Sequence, residues 1–265
     1  MKYRFMAVDI DGTLLNSGGK LTEATREAVL TASGKGLIFT LSTGRPVQGV
    51  QSLINALQLD SPVITYNGAM VITGKSREII YEQKLSAEDA KNVIELGNQR
   101  GCMVAVWAEN RLYVNELNEP AFQYSTIAGI TPEKITDIDA LVREGVTKVL
   151  WNDEPSVVER YQDEIGQYLS GNVNYHTSRP MFLEFVDKKA SKALAMEKIG
   201  EHFGIPKEEM IAVGDGFNDL SMIEYAGLGV AMGNAKEAIR QRAKYVTLSN
   251  DEDGVAHVIR KFVLG

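Results

Sequence analysis

RFMAVDIDGTLL, residues 4–15, starts as an interior strand and ends in two acids. Five of the seven residues Arg4–Ile10 are apolar, yet Asp9 and Asp11 stand two apart and Gly12 follows at once. On an extended chain such carboxylates share a face, where like charges repel unless something positive joins them. Gly12 frees the chain to turn where a parallel strand ends, and open α/β sheets bind ligands outside those carboxyl ends. A polar turn after a strand is the plain alternative. The chain even carries a decoy, Asp251-Glu252-Asp253-Gly254, with the same D-x-D-G spacing. That copy precedes the helical run GVAHVIRKFV, so it reads as a helix start with Asp253 as cap.

Outward from this stretch, short apolar strands alternate with helices. A helix at about 22–33 leads to LIFTLS (37–42), Pro46 opens a helix reaching about Leu57, and PVITY (62–66) is a third strand. The same grammar returns after residue 190, with a helix to 203, MIAVGD (210–215), NDLSMIEYAG, LGVAM, NAKEAIRQRA, KYVTL and a last helix. Such βαβ units build a parallel sheet buried on both faces. The middle differs. A helix at 85–101 capped by Ser86 precedes MVAVWA and RLYVN around Glu109-Asn110. TKVLWN, a helix at about 155–169, NVNYHTS and MFLEFV follow. This hairpin-rich α+β content predicts an inserted domain at 83–185, with 1–82 and 186–265 forming an α/β core.

Two more strand ends carry polar, glycine-bearing turns. FTLSTGRP (39–46) ends in Ser42, Thr43, Gly44 and Arg45. Its backbone amides favour an anion, which the Ser42 or Thr43 hydroxyl and Arg45 can reach. IAVGDGFNDL (211–220) supplies Asp215, Gly216, Asn218 and Asp219. Each turn alone could be a capped helix start; all of them together point to one site. Carboxylates from two strand ends make a hard, oxygen-lined site of the kind Mg²⁺ prefers, and the cation lets a phosphate dianion approach. Asp9 can then attack phosphorus, Asp11 can protonate the leaving oxygen and later deprotonate water, and a lysine should steady the phosphoryl group. Lys188, Lys189 and Lys192 are the candidates; the first two precede the helix proper and suit a solvated face, while Lys192 lies in the first turn of the helix entering the second α/β half.

Composition narrows the partners. Among 265 residues, 44% are hydrophobic and 24% charged, as in ordinary globular proteins. A formal charge of −7 argues against nucleic acid and anionic membrane. Cys102 is the single cysteine, the start lacks the apolar core of a signal peptide, and no apolar run reaches membrane-spanning length. A cytoplasmic protein acting on a small phosphorylated metabolite is expected.

These residues resemble the haloacid dehalogenase (HAD) superfamily of phosphohydrolases, whose four motifs occur in order. Asp9-Ile10-Asp11-Gly12-Thr13 is similar to the first, Thr43 to the second, Lys192 to the third and Gly214–Asp219 to the fourth. The gap between Tyr66 and Lys192 leaves room for a late-inserted cap, as in the Cof-type sugar-phosphatase-like branch with an α/β (C2) cap. STGRP, TYNGA, SKALA, GDGFND and AMGNA match that branch. The resemblance implies a Rossmann-like parallel-sheet core and a Mg²⁺-dependent phosphatase forming an aspartyl-phosphate. It implies Asp9 as nucleophile and metal ligand, Asp11 as acid/base and metal ligand through its carbonyl, and Asp215 as the other ligand. Thr43, Gly44, Lys192, Asn218 and the backbone of Ile10 would hold phosphate, with Ser42, Arg45 and Asp219 supporting. A phosphomutase is the alternative within the superfamily, although its cap lies between the first two motifs. A phosphate-sensing regulatory module is the non-enzymatic alternative, yet it would lack the acid at Asp11. In the cap, surface or hinge roles suit Arg111, Tyr113, His176 and Glu184 better than substrate contact.

Overall fold

The computed structural model describes residues 2–265. Two compact units make up the chain: one runs to Tyr81 and resumes as Ser191–Gly265, the other is Glu82–Ala190. The opening apolar run becomes β1 (Phe5–Asp9), buried at every position. A strand covered on both faces reads as an unbroken hydrophobic run, without alternation. Thr22 starts α1 (Glu23–Gly34) by accepting from the Thr25 amide. β2 (Ile38–Ser42) leads into a 3₁₀ turn at Val47–Val50 and a short α2 (Gln51–Ala56). Pro46 stays extended outside that turn, so the helix is shorter than the 46–57 expected. β3 (Pro62–Thr65) is followed by two strands the sequence reading lacks, β4 (Met70–Thr73), antiparallel to it, and β5 (Ile79–Glu82).

In the inserted unit the Ser86 hydroxyl accepts from the Asp89 amide and starts α3 (Ala87–Gln99). β6 (Met103–Ala108) and β7 (Arg111–Val114) meet at Glu109-Asn110, whose φ values of 51° and 58° suit a type I′ hairpin. Three further elements were not expected: α4 (Glu119–Ala128), β8 (Glu133–Lys134) and α5 (Ile138–Val142). β9 (Lys148–Asn152), α6 (Pro155–Glu164), β10 (Val173–Arg179) and β11 (Phe182–Asp187) complete one sheet, ordered β10-β11-β9-β6-β7-β8. Alternate residues Val104, Val106, Val149, Trp151, Leu183 and Phe185 pack with Val93 and Ile94 of α3 and Val158 of α6. The other alternation presents Trp107, Lys148 and Glu184. Lys148 Nζ donates to Glu184 Oε2 at 3.0 Å, and Ser178 Oγ donates to Oε1 at 2.6 Å. Glu184 is therefore a buried ion-pair member, against the surface or hinge role expected. Arg111 pairs with Glu133 at the surface.

The chain returns through α7 (Lys192–Phe203), capped by Ser191, whose hydroxyl accepts from the Leu194 amide. β12 (Met210–Gly214), α8 (Leu220–Tyr225), β13 (Leu228–Ala231), α9 (Glu237–Arg240), β14 (Tyr245–Val246) and α10 (Gly254–Ile259) follow. The sheet is ordered β14-β13-β12-β1-β2-β3-β4-β5, and its strands are parallel from β14 to β3. β1 lies between β12 and β2, with Val8 opposite Val213 and Asp9 opposite Ser42. Parallel direction and this register carry the ends of β1, β2 and β12 to one edge. At the decoy, Asp253 adopts a left-handed φ of 57° and makes no side-chain cap. Its carboxylate instead accepts from Thr22 and Thr25, whose hydroxyls compete for it. No helix among the described residues is long and apolar enough to cross a membrane.

Candidate active site

Three turns at the carboxyl edge of the first unit's sheet supply the site. After β1 the chain turns sharply at Gly12, φ +84°, and the Leu15 amide donates back to the Ile10 carbonyl at 3.0 Å. A Cβ on Gly12 would lie 2.5 Å from Asp215 Oδ2, so a side chain has no place there. Thr13 Oγ1 donates to Asp215 Oδ1 at 2.8 Å, and Asn234 Nδ2 to the Gly12 carbonyl at 2.8 Å. The first turn is thus tied to the one after β12.

The turn after β2 is held by Tyr66 and Asn67. The Asn67 amide donates to the Thr43 carbonyl at 2.9 Å and the Tyr66 amide to the Arg45 carbonyl at 3.3 Å. Both donors sit at positive φ, 51° and 55°, as does Gly68 at 99°. Consecutive left-handed residues are costly and concentrate at functional sites. Gly44 is packed against Asn67, whose Nδ2 would lie 2.9 Å from a Cβ there. Thr43 Oγ1 accepts from the Arg45 amide at 3.1 Å, while Ser42 keeps its hydroxyl buried and turns its carbonyl to Lys192. Arg45 reaches an anion within the protein: Nε and Nη2 donate to the two Asp11 oxygens at 3.1 and 2.5 Å.

In the turn after β12, Asp219 Oδ2 accepts from the amides of Asp215 and Gly216 at 3.1 and 2.9 Å. Asn218 Nδ2 donates to Asn67 Oδ1 at 3.3 Å. Lys192, wholly buried at the start of α7, spends its three protons on Asp9 Oδ1 (2.6 Å), Asp219 Oδ1 (2.6 Å) and the Ser42 carbonyl (3.1 Å). Lys188 and Lys189 are exposed in the inserted unit. Of the three lysines, the one that the resemblance singled out, Lys192, is the one that reaches Asp9 and Asp219. Asp9, Ile10, Asp11, Ser42, Thr43, Gly44, Arg45, Lys192, Asp215, Asn218 and Asp219 all lie on these turns or at the helix start facing them. Thr13, Asn67 and Asn234 also hold the site, and the sequence reading gave them no role. For Asn67 the Asn-Gly step after a strand was the available signal.

One oxygen each from Asp9, Asp215 and Asp219 lies within 4.8 Å of the others. Burial pushes the Asp9 carboxyl up to about 8, with Asp219 and Asp215 adding to the rise and Lys192 opposing it. Asp215 is also raised by burial, against the Thr13 hydrogen bond. Burial works to deprotonate Lys192, but Asp9 and Asp219 outweigh it, so its pKa is raised and it stays charged. Three carboxylates against one ammonium leave the site short of positive charge. Asp219 has both oxygens engaged, whereas Asp9 Oδ2 and Asp215 Oδ2 accept from no donor among the described residues. Hard oxygens, negative excess and the space kept open by Gly12 fit a divalent cation.

A family model described as haloacid dehalogenase-like hydrolase matches residues 6–259. The chain is 32% identical to the 5-amino-6-(5-phospho-D-ribitylamino)uracil phosphatase YcsE of Bacillus subtilis, over 98% of this chain and 96% of that one. It is similar in structure to a haloacid dehalogenase-like hydrolase from Bacteroides thetaiotaomicron, with a TM-score of 0.87, 33% identity and coverage of 98% and 99%. A sugar phosphatase of HAD subclass IIB superposes with a TM-score of 0.80, at 28% identity and 98% of each chain.

Proposed function

The chain belongs to the haloacid dehalogenase-like hydrolases and is a phosphatase; from that premise we propose that it hydrolyses small phosphomonoesters, sugar phosphates and related metabolites, through an aspartyl-phosphate on Asp9. The observation that carries this reading is the junction of Asp9, Asp215 and Asp219 with the buried ammonium of Lys192. Asp9 Oδ2 and Asp215 Oδ2, with the Asp11 carbonyl, would hold Mg²⁺. Bound there, the ion would supply the missing positive charge and polarise the phosphoryl oxygens.

The chain's own residues do the rest. The amides of Ile10 and Gly44, the Thr43 hydroxyl, Asn218 and Lys192 receive the phosphoryl oxygens. Asp9 attacks phosphorus; the bond to the leaving oxygen breaks, and Asp11 gives that oxygen its proton. Asp11 then takes a proton from water as the water attacks phosphorus, which frees Asp9 and inorganic phosphate. Asp219 keeps Lys192 and the Asp215 turn in place through its two oxygens. We assign the unit that runs to Tyr81 and resumes at Ser191 to the catalytic core and Glu82–Ala190, a few residues longer at its downstream end than the 83–185 expected, to a cap domain that selects the leaving group, in a protein of the cytoplasm.

A panel of sugar phosphates and ribityl phosphates, assayed for phosphate release with Mg²⁺ and with chelator, tests the proposal. Release should require the ion and fall at least about a thousandfold in Asp9→Asn, as removal of a covalent nucleophile does. Release that survives Asp9→Asn overturns the mechanism, and an isomerised phosphate without free phosphate would make the protein a mutase.

A further inference from the structure

We propose that Arg45 is a positioning residue for Asp11, fixing the carboxyl group that handles the leaving-group proton, and is no ligand of the phosphate; this rests on the phosphatase reading above. The guanidinium meets Asp11 as a fork, Nε on Oδ2 at 3.1 Å and Nη2 on Oδ1 at 2.5 Å. A fork fixes both oxygens of a carboxylate and so its plane, which the point charge of a lysine does not.

Both ends of the pair are built in. The Arg45 amide donates to Thr43 Oγ1, and its carbonyl accepts from Tyr66, a residue at φ 51°. Pro46, at φ −68°, stiffens the chain beyond it. On the other side, Asp11 sits between a carbonyl that receives the Leu15 amide and one that receives Asn234. The backbone around Asp11 is pinned, yet its side chain is 61% exposed and has Arg45 as its one hydrogen-bond donor among the described residues. Asp9, by contrast, is buried against Lys192. Without Arg45 the Asp11 carboxyl would sweep through water.

A proton donor works only within hydrogen-bond reach of the oxygen it serves, and misplacement by about 1 Å can cost about a hundredfold. A half-exposed ion pair contributes little to stability, so the contact matters for geometry. Arg45 spends the Nε–Nη2 edge of its guanidinium on Asp11, which leaves only Nη1 and the outer Nη2 proton free of that fork.

The test compares kcat/KM for an alkyl phosphate, whose leaving oxygen needs a proton, with p-nitrophenyl phosphate, whose leaving group does not. This parameter stops at leaving-group departure, so the later use of Asp11 as base does not enter. Arg45→Ala should lose about tenfold to a hundredfold on the alkyl ester and no more than about threefold on the aryl ester. The Ki of inorganic phosphate should stay within about twofold, and Arg45→Lys should fall between. In an Asp11→Asn background, Arg45→Ala should cost nothing more. Equal losses on both esters with a weakened phosphate Ki would make Arg45 a phosphate ligand and overturn the proposal; equal losses with a lowered Tm would make it structural. If Asp11→Asn itself shows no bias between the esters, the acid role of Asp11 falls, and the role of Arg45 with it.

Discussion

Asp9 sits in an electrostatic conflict between burial and a neighbouring ammonium. Burial, reinforced by Asp219 and Asp215, raises its carboxyl from 3.8 to about 8 although Lys192 lies 2.6 Å away. A carboxyl raised on folding stabilises the fold while protonated. That contribution is complete below the unfolded value and is lost as pH rises through the folded one. Chelator-treated protein should therefore lose Tm relative to Asp9→Asn between pH 5 and pH 9, each kcal/mol of lost stability appearing as about 2–4 °C. Saturating Mg²⁺ should close the gap, since a ligand of the native state stabilises it. A gap that does not change with pH would show Asp9 to be ionised throughout. The strand-end acids were legible in the sequence because polar side chains at the close of apolar runs stand out. The lysine was legible through its place in the first turn of a helix and the order of the motifs, and folding puts Lys192 against Asp9 while Lys188 and Lys189 stay exposed. Asn67 was overlooked although Asn-Gly after a strand signals a left-handed turn, because its bonds to the Thr43 carbonyl and to Asn218 come from elements distant in sequence.

At the scale of elements, the turn after β1 depends on Gly12 twice, through a φ of +84° and through the absent Cβ that would stand 2.5 Å from Asp215 Oδ2. Gly12→Ala should weaken Mg²⁺ affinity and lower turnover by about tenfold to a hundredfold, as displaced metal-site supports do. Calorimetric Mg²⁺ titration of the variant checks this, and wild-type affinity would show that the turn relaxes at no cost. The parallel strands were readable because burial on both faces leaves contiguous apolar runs. β4 and β5 were missed since strands of four residues carry little pattern of their own. α4 and α5 escaped for a related reason: only Ala121, Tyr124 and Ala128 are buried along α4, and only Val142 along α5. Asp253 misled because a D-x-D-G step ahead of a helix suggests a cap, while two threonine hydroxyls brought close by folding claim the carboxylate.

At the scale of the whole chain, each unit carries a core and a buried cation of its own. In the inserted unit, burial pushes Glu184 up, but Lys148, with help from His176 and Ser178, outweighs it and holds the carboxyl below its usual range. Lys148→Met would strand that carboxylate, at a cost of about 3–5 kcal/mol for a broken buried pair. Hydrogen exchange should show the loss of protection confined to Glu82–Ala190, with Mg²⁺ still protecting the other unit. Loss spread evenly over both would mean that they unfold as one. The lysine paired with Asp9, in turn, is the second residue after the insertion closes: the chain leaves it at Ala190, caps a helix with Ser191 and reaches Lys192. Gly68 crowds that junction so closely that a Cβ there would fall 2.1 Å from the Ser191 carbonyl oxygen. Evolution, or an engineer grafting a foreign module into this scaffold, thus faces an asymmetric splice. The downstream border is immovable at Ser191, since shifting it by a single residue would drag the ammonium off its carboxylates, whereas the upstream border at Tyr81–Glu82 lies well before that pair in sequence.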